Sequence, residues 1–129
     1  MSTLYWTFYN NSKTTNITAL ANWNVSNVTD MFAMFWNCYN LTDITALANW
    51  NVSKVTSMER MFWNCYNLTD ITVLANWNVS NVRDTQWMFL NCSNLTTLDM
   101  SGWDTGKVTD TGYFLDSCSK LTTSKLTTS

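Results

Sequence analysis

The chain has 129 residues, with seven Lys and Arg against nine Asp and Glu for a net charge of −2. Hydrophobic residues make up 46% and aromatic ones 15%, while charged residues reach only 12%; this balance excludes a disordered chain and a basic nucleic-acid footprint. With no His, no Pro and three Gly, imidazole catalysis, His metal ligation, collagen and a flexible linker are excluded as well.

An internal repeat dominates the chain. Trp23, Trp50, Trp77 and Trp103 recur at spacings of 27, 27 and 26, and Cys38, Cys65, Cys92 and Cys118 recur in the same way. Residues 1–16 read as an N-terminal half-repeat and cap, because Phe8, Asn10 and Thr15 align with Phe35, Asn37 and Thr42; Tyr5, Trp6 and Tyr9 are then placed to cover one end. Repeat 1 is 17–43, repeat 2 is 44–70, repeat 3 is 71–97 and repeat 4 is 98–123, followed by a polar tail, 124–129. The first two copies are identical at 23 of 27 positions. They differ at Asn27/Lys54, Asp30/Ser57, Phe32/Glu59 and Ala33/Arg60.

Each unit carries two periodicities. Met31, Met34, Phe35 and Cys38 are spaced i, i+3, i+4, i+7, which predicts a short amphipathic helix after Thr29 and Asp30, held by packing. Leu41, Ile44 and Ala46 then predict a short strand, with Leu95, Leu98 and Met100 as its clearest copy. Asn-rich junctions supply left-handed turns where Gly is scarce. The expected fold is α/β, a leucine-rich-repeat-like solenoid with one short parallel strand and one short helix per 26–27-residue repeat, forming a single domain. Helices at about 10 Å each and strands at about 4.8 Å predict curvature with the sheet concave.

The pattern carried by Trp50-Asn51-Val52-Ser53-Lys54-Val55-Thr56, Met58, Met61-Phe62, Cys65 and Leu68-Thr69 resembles the 26-residue leucine-rich-repeat-like units of BspA-like bacterial surface proteins; similar units occur in listerial and mycoplasmal surface proteins. The resemblance runs from about residue 8 to 123. The family's usual Asp after Trp stands only at Asp104, and its usual Gly and Ser are largely replaced by Asn, Trp and Tyr. The resemblance implies an exported, cell-surface or extracellular protein that binds partners, and supplies no catalytic residue. No signal peptide opens this chain. No run approaches the roughly 18–20 apolar residues of a membrane span, so membrane insertion is not expected.

Several residue sets are candidates for function. The Cys ladder reads as small buried hydrophobes, since helices about 10 Å apart exceed the roughly 7 Å Cα limit for a disulfide. The Trp column reads as structural packing, with a sugar platform as the alternative. Asp43, Thr45, Asp70, Thr72, Thr97 and Asp99 are expected on the outward, concave strand face, either simply solvated or open to a partner, weakly bound calcium or ice. Phe32, Trp36, Arg60, Trp63, Trp87 and Tyr113 are expected on the convex helix flank, where the copies differ most. An exposed aromatic patch of that size calls for a covering partner or another copy. The reading is a non-enzymatic module that binds a protein or cell-surface macromolecule. The alternative is a structural protein that self-assembles into filaments, end to end or laterally. No cofactor, metal or nucleic acid is expected.

Overall fold

The computed structural model describes residues 3–15, 17–109, 118 and 123–126. Successive copies stack as the coils of a solenoid, tied together through the backbone. Met31, Ala33, Phe35 and Asn37 donate their N–H groups to the carbonyls of Ser57, Glu59, Met61 and Trp63 in the next coil, at 2.8–3.0 Å. Between them, Met34, Trp36 and Cys38 donate to Met31, Ala33 and Phe35 of their own coil at 3.1–3.3 Å. Alternate residues therefore serve the neighbouring coil and the local turn, and no donor remains for the i→i−4 bonds of an α-helix.

The helix expected at Met31–Cys38 and its copies is thus replaced by three overlapping β-turns. Two positions of each ribbon take a left-handed backbone: φ is 54° at Ala33 and 65° at Asn37, and it is positive again at Trp6, Asn10, Arg60, Asn64, Trp87 and Asn91. Asn suits this geometry. It also bonds along the stack, because Asn37 donates its amide to Asn10 Oδ1, Asn64 to Asn37 and Asn91 to Asn64, at 2.7–2.9 Å. The apolar stripe is buried as it would be in a helix, with Met31, Met34, Phe35 and Cys38 all inaccessible to solvent. Lateral backbone bonds let the coils approach closer than helices can. The rings of Phe8, Phe35, Phe62 and Phe89 stack at 5.4–5.5 Å. The difference in width that predicted a concave sheet is accordingly gone.

The expected strand at Leu41–Ala46 is also replaced. Asp43 Oδ1 accepts from the N–H and hydroxyl of Thr45, and Asp70 does the same from Thr72, closing a local turn. Short 3-10 helices follow at Thr45–Leu47 and Thr72–Asn76, matching the one at Thr18–Asn22. The third copy has Thr97 where the first two have Asp. No carboxylate starts a turn there, and strand β1, Thr97–Met100, runs on until Asp99 Oδ1 accepts from Ser101. β1 pairs in parallel with β2, Thr123–Leu126, with Thr97 opposite Thr123 and Met100 opposite Leu126. Residues 124–126, placed by the sequence in a polar tail, are therefore part of a strand. One strand per repeat is corrected to one strand pair among the described residues.

Candidate functional site

Of the residue columns the sequence singles out, those of Trp and Cys are structural. Trp50, Trp77 and Trp103 are buried, and their indole N–H groups donate to the carbonyls of Leu20, Leu47 and Leu74 in the preceding coil at 2.7–2.9 Å. The buried faces of these three leave no sugar platform, while Trp23 is half-buried and stacks on Phe8 at 6.0 Å. The thiols of Cys38, Cys65, Cys92 and Cys118 donate to the carbonyls of Phe8, Phe35, Phe62 and Phe89 at 3.0–3.2 Å, and Cys38, Cys65 and Cys92 form no disulfide. Their separation does not rest on 10 Å helices, since no α-helix forms among the described residues. Each thiol instead donates to a backbone carbonyl, and for Cys38, Cys65 and Cys92 burial disfavours the thiolate, raising the Cys38 value to about 11.

The third column is the aromatic flank. Phe32, Trp36, Arg60, Trp63 and Trp87 lie together, each half-buried. The guanidinium carbon of Arg60 is 4.0 Å from the ring centre of Trp87, and 5.4, 5.6 and 5.4 Å from those of Phe32, Trp36 and Trp63. Trp36 and Trp63 stack at 4.5 Å with an interplanar angle of 6°. Arg60 Nε lies 3.7 Å from Glu59 Oε1, an ion pair too long for a hydrogen bond. Tyr113 lies outside the described residues. Ala33, the alignment partner of Arg60, is fully buried rather than exposed.

The sequence reading missed part of this ridge. Trp6 and Tyr9, assigned by the sequence to the N-terminal cap, also join the ridge: Trp6 lies 5.4 Å from Phe32 and 5.3 Å from Trp36, and Tyr9 lies 5.2 Å from Trp36. Trp6 remains 41% exposed. The signal was present in the 27-residue register, which puts Trp6, Ala33, Arg60 and Trp87 in one column. A separate exposed pair, Tyr39 and Tyr66, stacks at 5.1 Å.

The Asp and Thr residues form a different surface. Asp43, Thr45, Asp70 and Thr72 are exposed, and the first three, with Thr42, Ile44 and Val73, line a shallow depression. Backbone N–H groups of Thr45 and Thr72 hold the Asp43 and Asp70 carboxyls below their usual range. Both carboxylates are occupied in closing their own turns. Asp99 is exposed and Thr97 lies on the same strand, two positions earlier.

Comparison with known proteins places these features. The family described as "Mycoplasma protein of unknown function, DUF285" matches residues 2–128. No curated protein matches the sequence. Among solved structures, a leucine-rich cell surface protein from Faecalibacterium prausnitzii is similar at 25% identity and a TM-score of 0.50, over 79% of this chain and 25% of that one. The chain thus spans about a quarter of that protein's length. Internalin C2 from Listeria monocytogenes is more distant, at 18% identity and a TM-score of 0.27 over 88% of this chain and 57% of that one. The architecture is a repeat solenoid of the leucine-rich-repeat kind. Among the described residues no helix is long and apolar enough to cross a membrane.

Proposed function

From the premise that the chain belongs to the DUF285 family, we propose that it is a non-enzymatic, surface-exposed repeat module that binds a macromolecular partner through the aromatic ridge centred on Arg60. The observation that carries this reading is the ring of Phe32, Trp36, Trp63 and Trp87 around one guanidinium. Trp, Tyr and Arg are the residue types that anchor interfaces. Arg60 and Trp87 also hold left-handed backbone, at φ 60° and 61°, a conformation costing on the order of 1–2 kcal/mol for such residues. The location follows the surface protein from Faecalibacterium prausnitzii to which the chain is similar.

The test is adhesion of protein-coated beads to epithelial cells and to bacterial envelopes. The native chain binds one of them saturably, and Arg60→Gln with Trp63→Ser lowers binding at least tenfold without shifting the melting temperature by more than a few degrees. Absence of saturable binding to either surface, or equal binding by the variant, overturns the reading.

End-to-end self-association is a second reading, favoured by one observation. The described residues supply no donor to the carbonyls of Thr3, Tyr5, Thr7 and Tyr9, whose counterparts in the next coil each accept a ladder bond. Light-scattering mass that rises with concentration from 14.9 kDa supports it, and a constant mass removes it.

A further inference from the structure

Among the described residues, the buried side-chain nitrogens without a hydrogen-bond partner are Trp36 Nε1, Arg60 Nε and Trp63 Nε1. All three belong to the same cluster. Elsewhere the fold satisfies its buried indoles, as the Trp50, Trp77 and Trp103 bonds show. A buried donor left unpaired forfeits its hydrogen bonds to water, so three in one cluster set it up to gain from acceptors brought from outside. The cluster also holds a guanidinium whose carboxylate neighbour stands too far away to bond. Its walls are aromatic and take an apolar C–H face.

We infer that the ridge around Arg60 binds a carboxylated saccharide, the carboxylate replacing Glu59 beside the Arg60 guanidinium and ring hydroxyls accepting from the indole N–H groups of Trp36 and Trp63. This rests on the partner-binding reading above and adds the ligand class. The site's unpaired groups are all donors. A sugar hydroxyl accepts from them while turning its own hydrogen to solvent, whereas an acidic peptide brings fixed N–H groups with no acceptor to meet. The planar guanidinium suits a carboxylate held bidentately. Access to the indole nitrogens requires Trp36 and Trp63 to shift, which their half-buried setting at the rim of the core permits.

The experiment is calorimetric and tryptophan-fluorescence titration of the intact chain with hyaluronan hexasaccharide and sialyllactose, each beside its carboxyl-reduced form, and with a polyglutamate peptide. The inference expects saturable binding of at least one carboxylated sugar, at least tenfold weaker binding of its reduced form, and a comparable loss in Arg60→Gln. Tyr39→Ser, away from the cluster, leaves affinity unchanged. Arg60→Lys keeps the charge and loses the bidentate geometry, so its affinity falls between native and Arg60→Gln. No binding of either carboxylated sugar overturns the inference, as does equal binding of the reduced forms or tighter binding of polyglutamate. Bead adhesion that persists in the native chain and is lost in the Arg60 variant, without sugar binding, leaves the partner-binding reading standing while this one falls.

Discussion

The indole N–H of Trp77 donates to the backbone carbonyl of Leu47, 30 residues earlier in the chain, at 2.9 Å. One buried side chain therefore closes a backbone group of the preceding coil and fixes the register between the two. Trp50 and Trp103 repeat the arrangement on Leu20 and Leu74.

Replacing Trp77 by Phe keeps an aromatic ring and leaves the Leu47 carbonyl with the backbone N–H of Trp50 alone, at 3.2 Å. The expected loss is that of one hydrogen bond, about 0.5–1.5 kcal/mol, a drop in melting temperature of roughly 2–6 °C for a domain of this size. Trp23, half-buried in the first copy, tolerates the same change with less than half that shift. Thermal melts followed by circular dichroism measure both.

The Asn ladder gives a second test. Asn64 holds φ 63°, donates to Asn37 and accepts from Asn91. Asn64→Ala removes both bonds and places a side chain that disfavours this backbone, at a cost of about 2–3 kcal/mol. Asn64→Gly removes the same bonds and accepts the backbone freely, so its cost is smaller by about 1 kcal/mol. Urea unfolding of the two variants ranks them, and Ala less destabilising than Gly contradicts the ladder geometry.

Thiol chemistry follows from burial. The Cys38 thiol is raised from 9.0 to about 11, chiefly by desolvation, and burial also raises those of Cys65 and Cys92. At pH 8 all three are neutral thiols, and iodoacetamide labels them at least tenfold more slowly than in urea-unfolded protein. A raised folded-state value means the folded chain holds its proton more tightly. Its stabilising contribution is therefore complete below pH 9.0 and is lost as pH rises through about 11. Melting temperature against pH shows this as a decline above pH 9 that flattens in a Cys38→Ala, Cys65→Ala, Cys92→Ala variant.

The Asp turns respond at the other end of the pH scale. Hydrogen bonds from Thr72 hold the Asp70 carboxyl below its usual range. Its contribution is present above the ordinary carboxylate value and fades as pH falls through the lowered one. Asn occupies the same turn role at Asn24, Asn51 and Asn78, each accepting from a Ser two residues on. Asp70→Asn thus melts within about 2 °C of native at pH 7, while Asp70→Ala melts lower by more than that, and the gap between the native chain and Asp70→Ala narrows towards pH 2, whereas the gap between the two variants, neither of which titrates there, stays.

Much of this architecture was legible because repetition marks the core. Val25, Val28, Met31, Met34, Phe35, Cys38, Leu41, Ile44 and Leu47 recur by register, and all are buried. Secondary structure was not legible in the same way. The spacing of Met31, Met34, Phe35 and Cys38 satisfies a helix and a ribbon of overlapping turns alike, since both bring these positions to one side. The difference lies in where Ala33 and Phe35 send their N–H groups, and no side-chain pattern encodes that. Asn37 and its copies were the available clue, being suited to left-handed backbone. Arg60 and Trp87 occupy the same geometry without any residue-type signal. The strand at Leu41 was misread because Asp43 diverts the chain into a turn, while Thr97 at the same register lets β1 form. The aromatic flank was read in part from the variation between copies, and Trp6 joins it through packing that only the stacked coils produce.

The alternation of backbone bonds along 31–38 generates the close coil stacking, the left-handed positions and the ridge around Arg60. Scalar coupling across hydrogen bonds, measured by NMR on uniformly labelled protein, reads those bonds directly. The ribbon predicts coupling from Phe35 nitrogen to the Met61 carbonyl carbon and from Met34 nitrogen to that of Met31. Coupling from Phe35 nitrogen to the Met31 carbonyl carbon, the i→i−4 bond of an α-helix, contradicts it.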